Sequence, residues 1–378
     1  MYQRHRVDCG RNERQRDMIE LPIETILRTG PLPAAAGETI GHSRDGRPLR
    51  ALILGRGSLR VSLIGGCHAD EPVGPAMLRL LARYLGELDS NHPLLEEIEW
   101  RLVPHVNPDG ALRNRPWSEV ELATSDHRGQ TDRAYDPVLY VRHVVRELPG
   151  DDIEFGFPRD SADNSARPEN LAVARFLEAA GPLHLHGSFH GMGLAPGPWF
   201  LIERDWIDRT PEMRRQLRRQ VSAMGYPIFD VDRRGEKGFE RIDQGFSTRP
   251  DSGAMRDHFL QLGDQEMAAR FRPSSMELVR SLGGDPLTLV SEMPLFLVAE
   301  TSSRSQGPVF KAGTEGKRQL QDQLRVLAAE LPIEAARTEM TKLGVRAMPI
   351  RDQMRLQLAF LQQALNAVRS ASLAEPPG

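Results

Sequence analysis

His68 and Glu71, three residues apart in His68–Ala69–Asp70–Glu71, follow the apolar run Leu59–Ile64 and precede a stretch of helical spacing. In α/β proteins the turn after a buried strand is where side chains are presented to ligands. A neutral imidazole and a carboxylate in such a turn can converge on one metal ion. Zinc suits that donor pair, and a catalytic zinc takes three protein ligands and keeps one position open. A lone His-x-x-Glu pair also has a plainer reading: a strand-end histidine bonded to a helix start, with Glu71 as a favourable first-turn charge.

The flanking pattern supplies elements able to hold such a pair. Leu59–Ile64 is a short continuous apolar run, as expected of a strand buried on both faces. Met77, Leu78, Leu81, Tyr84 and Leu85 then recur at helical spacing from Pro75 to Leu85, and Ile98–Val106 reads as a strand stopped by Asn107–Pro108–Asp109–Gly110. This alternation is that of an α/β fold. Upstream, Leu21–Thr29 reads as a short helix, and the Asp45–Gly46 turn precedes a strand over Leu49–Leu54. Downstream, residues 111–165 and 228–258 read as irregular, Leu171–Ala180, Pro211–Met224 and Ser275–Leu282 as helices, and Leu183–His190 and Trp199–Ile202 as strands. Leu287–Glu292 and Leu295–Glu300 form two apolar runs, each ending in a carboxylate. From Thr314 to about Ser372 the pattern is helical, interrupted at Pro332 and Pro349.

Composition narrows the function classes. The 378 residues carry 49 Lys+Arg against 52 Asp+Glu, a net charge of −3, which gives no field for a nucleic-acid partner. Two cysteines, Cys9 and Cys67, make no disulfide framework. No run approaches the roughly 18 apolar residues of a membrane span, and the basic start lacks a following apolar stretch. The expectation is a cytoplasmic protein with no nucleic-acid or membrane partner, its first 20 or so residues disordered.

Three segments occur in order: Gly41–His42–Ser43–Arg44–Asp45–Gly46–Arg47–Pro48–Leu49, then Ile64–Gly65–Gly66–Cys67–His68–Ala69–Asp70–Glu71–Pro72–Val73–Gly74, then Asn107–Pro108–Asp109–Gly110. Together they resemble the N-terminal half of the zinc carboxypeptidase family, the carboxypeptidase A-like metallopeptidases, with this chain as a divergent bacterial-type member. The resemblance implies one Zn2+ per chain, with His68 and Glu71 as the first two ligands. It implies a third in His184–Leu185–His186–Gly187–Ser188–Phe189–His190–Gly191, where His190, which ends the strand, is preferred over His186. It also implies a late glutamate as general base, Glu292 in preference to Glu300, and an arginine after the Asn-Pro-Asp-Gly turn to hold the developing oxyanion. Arg113 and Arg115 both lie there, Arg115 being assigned the catalytic place and Arg113 substrate binding.

The family pattern departs at the clamp for a substrate's terminal carboxylate. Where an Asn-Arg pair is expected, Asp152–Ile153–Glu154–Phe155 places Glu154 and Phe155. Neither makes the two-pronged contact of an arginine with a carboxylate. Glu154 is instead expected to face a neutral or cationic substrate group, unless Arg128, Arg133, Arg142 or Arg159 supplies the clamp.

The resulting expectation is an α/β fold with a mixed, mainly parallel twisted sheet, helices on both faces and a C-terminal helical extension. A catalytic domain spans residues 21–310, and the extension 311–378. The function is zinc-dependent hydrolysis of a peptide or amide bond, on a peptide or small amide substrate. The alternatives are a deacylase of small N-acyl amino acids, like succinylglutamate desuccinylase and aspartoacylase, and a non-catalytic relative.

Overall fold

The computed structural model describes residues 19–299 and 314–374. The expected disordered leader, Cys9 and Glu300 therefore lie largely or wholly outside the described residues. The strands are β1 (Glu38–His42), β2 (Pro48–Leu54), β3 (Leu59–Gly65), β4 (Ile98–Val103), β5 (Glu121–Ser125), β6 (Thr131–Tyr135), β7 (Leu185–Ala195), β8 (Trp199–Ile202), β9 (Arg241–Asp243), β10 (Phe246–Thr248), β11 (Leu287–Leu297) and β12 (Arg346–Ala347). Ten of them form one sheet in the order β1-β2-β4-β3-β7-β11-β8-β10-β9, with β12 paired to β11. Its centre, β4-β3-β7-β11, is parallel, and antiparallel pairs flank it. The fold class is thus a mixed α/β sheet with a parallel centre, as the alternation of elements implies.

The central strands are buried almost throughout, which explains their unbroken apolar runs. Against them the helix Val73–Gly86 buries Val73, Met77, Leu78, Leu81, Ala82 and Leu85, one stripe at helical spacing. The same apolar cluster continues into the helices Thr314–Glu330, Ile333–Lys342 and Ile350–Ala374 through Leu324, Met340 and Phe360. The last of these helices also reaches the centre of the sheet with a polar side chain. Buried Gln357 points its Nε2 at the carbonyl of His190 and at Ser291 Oγ, each 3.4 Å away.

Three stretches differ from their sequence pattern. Residues 111–165, read as irregular, hold the end of a helix (Pro108–Ser118), the β5–β6 hairpin and a second helix (Pro137–His143). Each helix starts at a capped X-Pro: Asn107 Oδ1 accepts from Gly110 N at 3.0 Å, and Asp136 Oδ1 from Val138 N at 2.8 Å. Residues 228–258 contain β9, β10 and the start of the helix Ser252–Gln261. The two apolar runs after Leu287 are one strand, β11. Pro294 does not break it, because that residue falls between the stretch paired to β8, which ends at Glu292, and the stretch paired to β12, which begins at Phe296.

One close approach fixes the spacing between the helix Val73–Gly86 and β7. A Cβ on Gly74 would lie 2.3 Å from the Phe189 carbonyl oxygen and 2.8 Å from Phe189 Cβ. Gly74→Ala is expected to destabilise the protein by about 1–3 kcal/mol, read as a lower urea midpoint. An unchanged midpoint would mean that the helix slides freely on the strand.

Candidate active site

After β3 the chain turns at Gly66 with φ +79°, a conformation open to glycine. A Cβ there would meet the His105 ring at 2.8 Å. The turn buries Cys67 and brings His68 out over the sheet edge, while Glu71 sits just ahead of the helix Val73–Gly86. His190 comes from β7, and Glu292 is directly across from it on β11.

The family-like segments interlock around this turn. Ser43 Oγ donates to Asp109 Oδ1 at 2.7 Å, Arg47 Nη1 donates to the same oxygen at 2.7 Å, and Asp45 N donates to Asp109 Oδ2 at 3.0 Å. On the buried face of the helix Pro108–Ser118, Asn114 Nδ2 donates to the carbonyl of Ala69 at 2.9 Å. The β1–β2 hairpin thus fixes this helix, and the helix fixes the turn that carries His68 and Glu71.

The structure brings His68, Glu71 and His190 together. Each offers one donor atom within 4.8 Å of the others. Their side chains are 16 %, 4 % and 2 % exposed, and the two imidazoles meet edge to face at 5.1 Å between ring centres. Glu71 Oε2 lies 3.0 Å from His190 Nδ1, yet neither it nor His68 Nδ1 makes a well-formed hydrogen bond. Buried polar atoms left this way are costly unless another partner satisfies them.

Further carboxyl groups surround the three donors. Asp152 Oδ2 is 3.6 Å from His68 Nδ1, and Glu154 Oε2 is 3.2 Å from His190 Nε2, where Ser188 Oγ also lies at 2.7 Å. Carboxylates and hydroxyls behind imidazoles are the usual supports of metal-ligating histidines. Burial pushes the His68 imidazole down to about 4. Burial works against the charge on His190 too, but Glu154 and Glu71 hold its proton well above the usual histidine range. Burial followed by the neighbouring Glu71 charge pushes Glu292 up to about 8, and burial followed by Glu154 does the same to Asp152. Four carboxyl groups, those of Glu71, Asp152, Glu154 and Glu292, thus crowd a site where burial keeps His68 neutral, an excess of acidic groups over cations among the described residues. A divalent cation would offset that excess, and two imidazoles with one carboxylate are a donor set that zinc accepts.

Arg113 and Arg115 are not brought to this group. Arg115 is 60 % exposed and pairs with Glu119 at 2.8 Å, while Arg113 pairs with Glu147. The cause is the helix Pro108–Ser118: its buried face carries Gly110, Asn114 and Trp117, which leaves residues 113 and 115 on other faces. The guanidinium at the site belongs to Arg146, missed in the sequence. Its Nη1 is 3.2 Å from both Asp70 oxygens and 3.3 Å from Glu71 Oε1. No spacing points to Arg146, because it lies beyond a hairpin and a helix whose own signals were caps.

The other histidines of the 184–190 run are satisfied elsewhere. His186 is buried between Ser62 Oγ at 2.6 Å and Ser275 Oγ at 3.0 Å, and His184 Nδ1 accepts from Arg60 N at 3.0 Å. Phe155 turns from the site to pack edge-on against Phe271, 5.3 Å between ring centres. Arg128 pairs with Glu24, Arg133 with Glu121, and Arg142 donates to the carbonyls of Ala328 and Leu331.

Comparison with known proteins agrees with the segments that drew attention in the sequence. The family model described as zinc carboxypeptidase matches residues 34–196. Carboxypeptidase D of Drosophila melanogaster is 26 % identical over 163 residues, 40 % of this chain; the match spans about a tenth of that protein's length, 11 %. Among solved structures, bovine thrombin-activatable fibrinolysis inhibitor bound to tick carboxypeptidase inhibitor aligns at 13 % identity and a TM-score of 0.45, covering 89 % of this chain and 90 % of that one. A metallo-carboxypeptidase from Burkholderia cenocepacia aligns at 17 % identity and a TM-score of 0.39, covering 93 % and 68 %. Residues 34–196 of this chain are thus similar to the zinc carboxypeptidase family, and that match takes in all three of the sequence segments that resemble it.

Proposed function

We propose that the protein is a zinc-dependent hydrolase of peptide or amide bonds, with the metal held by His68, Glu71 and His190. The observation that carries this reading is the convergence of three buried donors within 4.8 Å, two of them bearing atoms without a hydrogen bond, beside the carboxyl group of Glu292. Zinc bound there would polarise a substrate carbonyl and acidify a water.

The chain's own residues supply the remaining work. Glu292 has no hydrogen bond or ion pair to another side chain among the described residues, so its carboxyl group is free to take a proton and return it to a leaving amine. Arg146 stays charged throughout and holds Asp70 and Glu71, with half of its side chain still exposed. It takes the place expected of Arg113 or Arg115, a fixed cation for negative charge developing on the substrate. Ser188 orients the His190 imidazole from behind, 2.7 Å from its Nε2, and Asp152 places a carboxyl group 3.6 Å from the His68 ring.

Glu154 sets the substrate class within this reading. Although burial works against its charge, the neighbouring His190, whose Nε2 lies 3.2 Å away, holds its carboxyl down to about 2, so it presents a negative charge beside the site. A free terminal carboxylate is repelled there, and a neutral or amidated end is accepted. The expected result is at least about tenfold higher kcat/KM for an amidated peptide than for its free acid, with Glu154→Gln shrinking that ratio while zinc content holds. A wild-type preference for the free acid, or a ratio untouched by Glu154→Gln, would refute this substrate assignment.

A further inference from the structure

A cavity of about 520 Å³ lies away from the three donors, between the loop carrying Leu32, strand β2 and the helices Val73–Gly86 and Pro108–Ser118. Four arginines line it, and they divide into two kinds. Arg47 is neutralised by Asp109 at 2.7 Å and Asp45 at 2.9 Å, and Arg115 by Glu119 at 2.8 Å. Arg50 and Arg79 have no carboxylate partner among the described residues. Arg79 donates only to the carbonyl of Leu32, and Arg50 Nη1 to that of Gly37 at 3.3 Å. Arg50 Nε is buried with no hydrogen bond at all.

Two guanidiniums in one cavity, partly desolvated and without a counter-charge, repel one another and favour an anion. Burial alone pulls Arg79 below its usual range, with no neighbouring charge to oppose it. A third donor is at hand. His105 lines the same cavity and is held neutral by burial, down to about 4; its Nδ1 accepts from Asn107 N at 3.2 Å, which leaves the proton on Nε2. The rest of the wall is apolar, from Leu32, Pro104, Pro108 and Leu112.

We propose that this cavity is a second binding site, separate from the hydrolytic centre, for a small molecule that joins one oxyanion group, carboxylate or phosphate, to a compact apolar body. Arg50 and Arg79 grip the oxyanion, and the proline and leucine wall covers the body. The site also adjoins the centre mechanically, since the His105 ring that lines it is the ring packed on the Gly66 turn.

The test is calorimetric titration of benzoate and of phenyl phosphate into the full chain, with benzyl alcohol as the uncharged counterpart. Anions also bind zinc, so each titration is repeated on chelator-treated protein. The expected result is saturable binding at one site per chain that persists without metal, and that weakens roughly tenfold in Arg50→Gln and in Arg79→Gln. Benzyl alcohol does not bind, and the tighter of the two anions names the head group. Arg50→Gln guards against the possibility that Arg79→Gln frees the Leu32 loop. The proposal is overturned if neither anion saturates below roughly 10 mM, if binding survives both substitutions, or if it disappears with the metal.

Discussion

Elemental analysis of the purified protein is expected to return about one zinc per chain, and His68→Ala, Glu71→Ala and His190→Ala are each expected to lose it. His186→Ala is expected to keep it, because that imidazole is occupied on both nitrogens by Ser62 and Ser275. The largest loss falls on His190→Ala. That change removes a donor and also leaves Glu71 and Glu154 without the imidazole that lies 3.0 Å and 3.2 Å from them. Asp152→Asn is expected to weaken zinc binding more mildly, by about 10–100-fold, as a support rather than a ligand. No zinc after reconstitution would remove the hydrolase reading and leave a non-catalytic relative of the family.

Glu292→Gln carries the second large effect. The substitution keeps size and shape and breaks no side-chain hydrogen bond among the described residues, so zinc content and stability are expected to hold. Turnover is expected to fall by about 10²–10⁴-fold, the usual contribution of a positioned proton carrier. Glu300→Gln is the control, expected to stay close to wild type. If the two variants behave the other way round, the base lies in the segment after β11, and Glu292 only balances charge beside Glu71. If both remain active, proton transfer belongs to neither.

The parts of this site that the sequence revealed are those carried by short, rigid connections. His68 and Glu71 sit in one turn between a buried strand and a helix, so their spacing alone implies convergence. His190 and Glu292 end runs of uniform apolar character, as buried parallel strands do, and the register pairs them. The Asn107–Pro108–Asp109–Gly110 segment reads as a motif, and the family resemblance alone assigns Arg113 and Arg115 to the site; the helix that starts at Pro108 carries both on other faces. Reading Asn107 as a cap and Pro108 as the first helical residue would have put Gly110, Asn114 and Trp117 inside. Arg146 could not be found this way. Its place depends on where the chain returns after the β5–β6 hairpin, a matter of tertiary packing that no local period encodes.

Gln357 shows how far the centre extends along the chain. This side chain, buried on the helix Ile350–Ala374, ties the backbone of the ligand strand at His190 to Ser291, next to Glu292 on the neighbouring strand. The helix therefore acts as a brace across the seam between the strands that carry His190 and Glu292, although it lies far outside residues 34–196. Under the proposed hydrolase reading, variation in that helix retunes the alignment of the proposed ligand and base while every donor atom stays the same. The geometry of the proposed centre is then open to adjustment from behind the sheet, by residues that never meet a substrate.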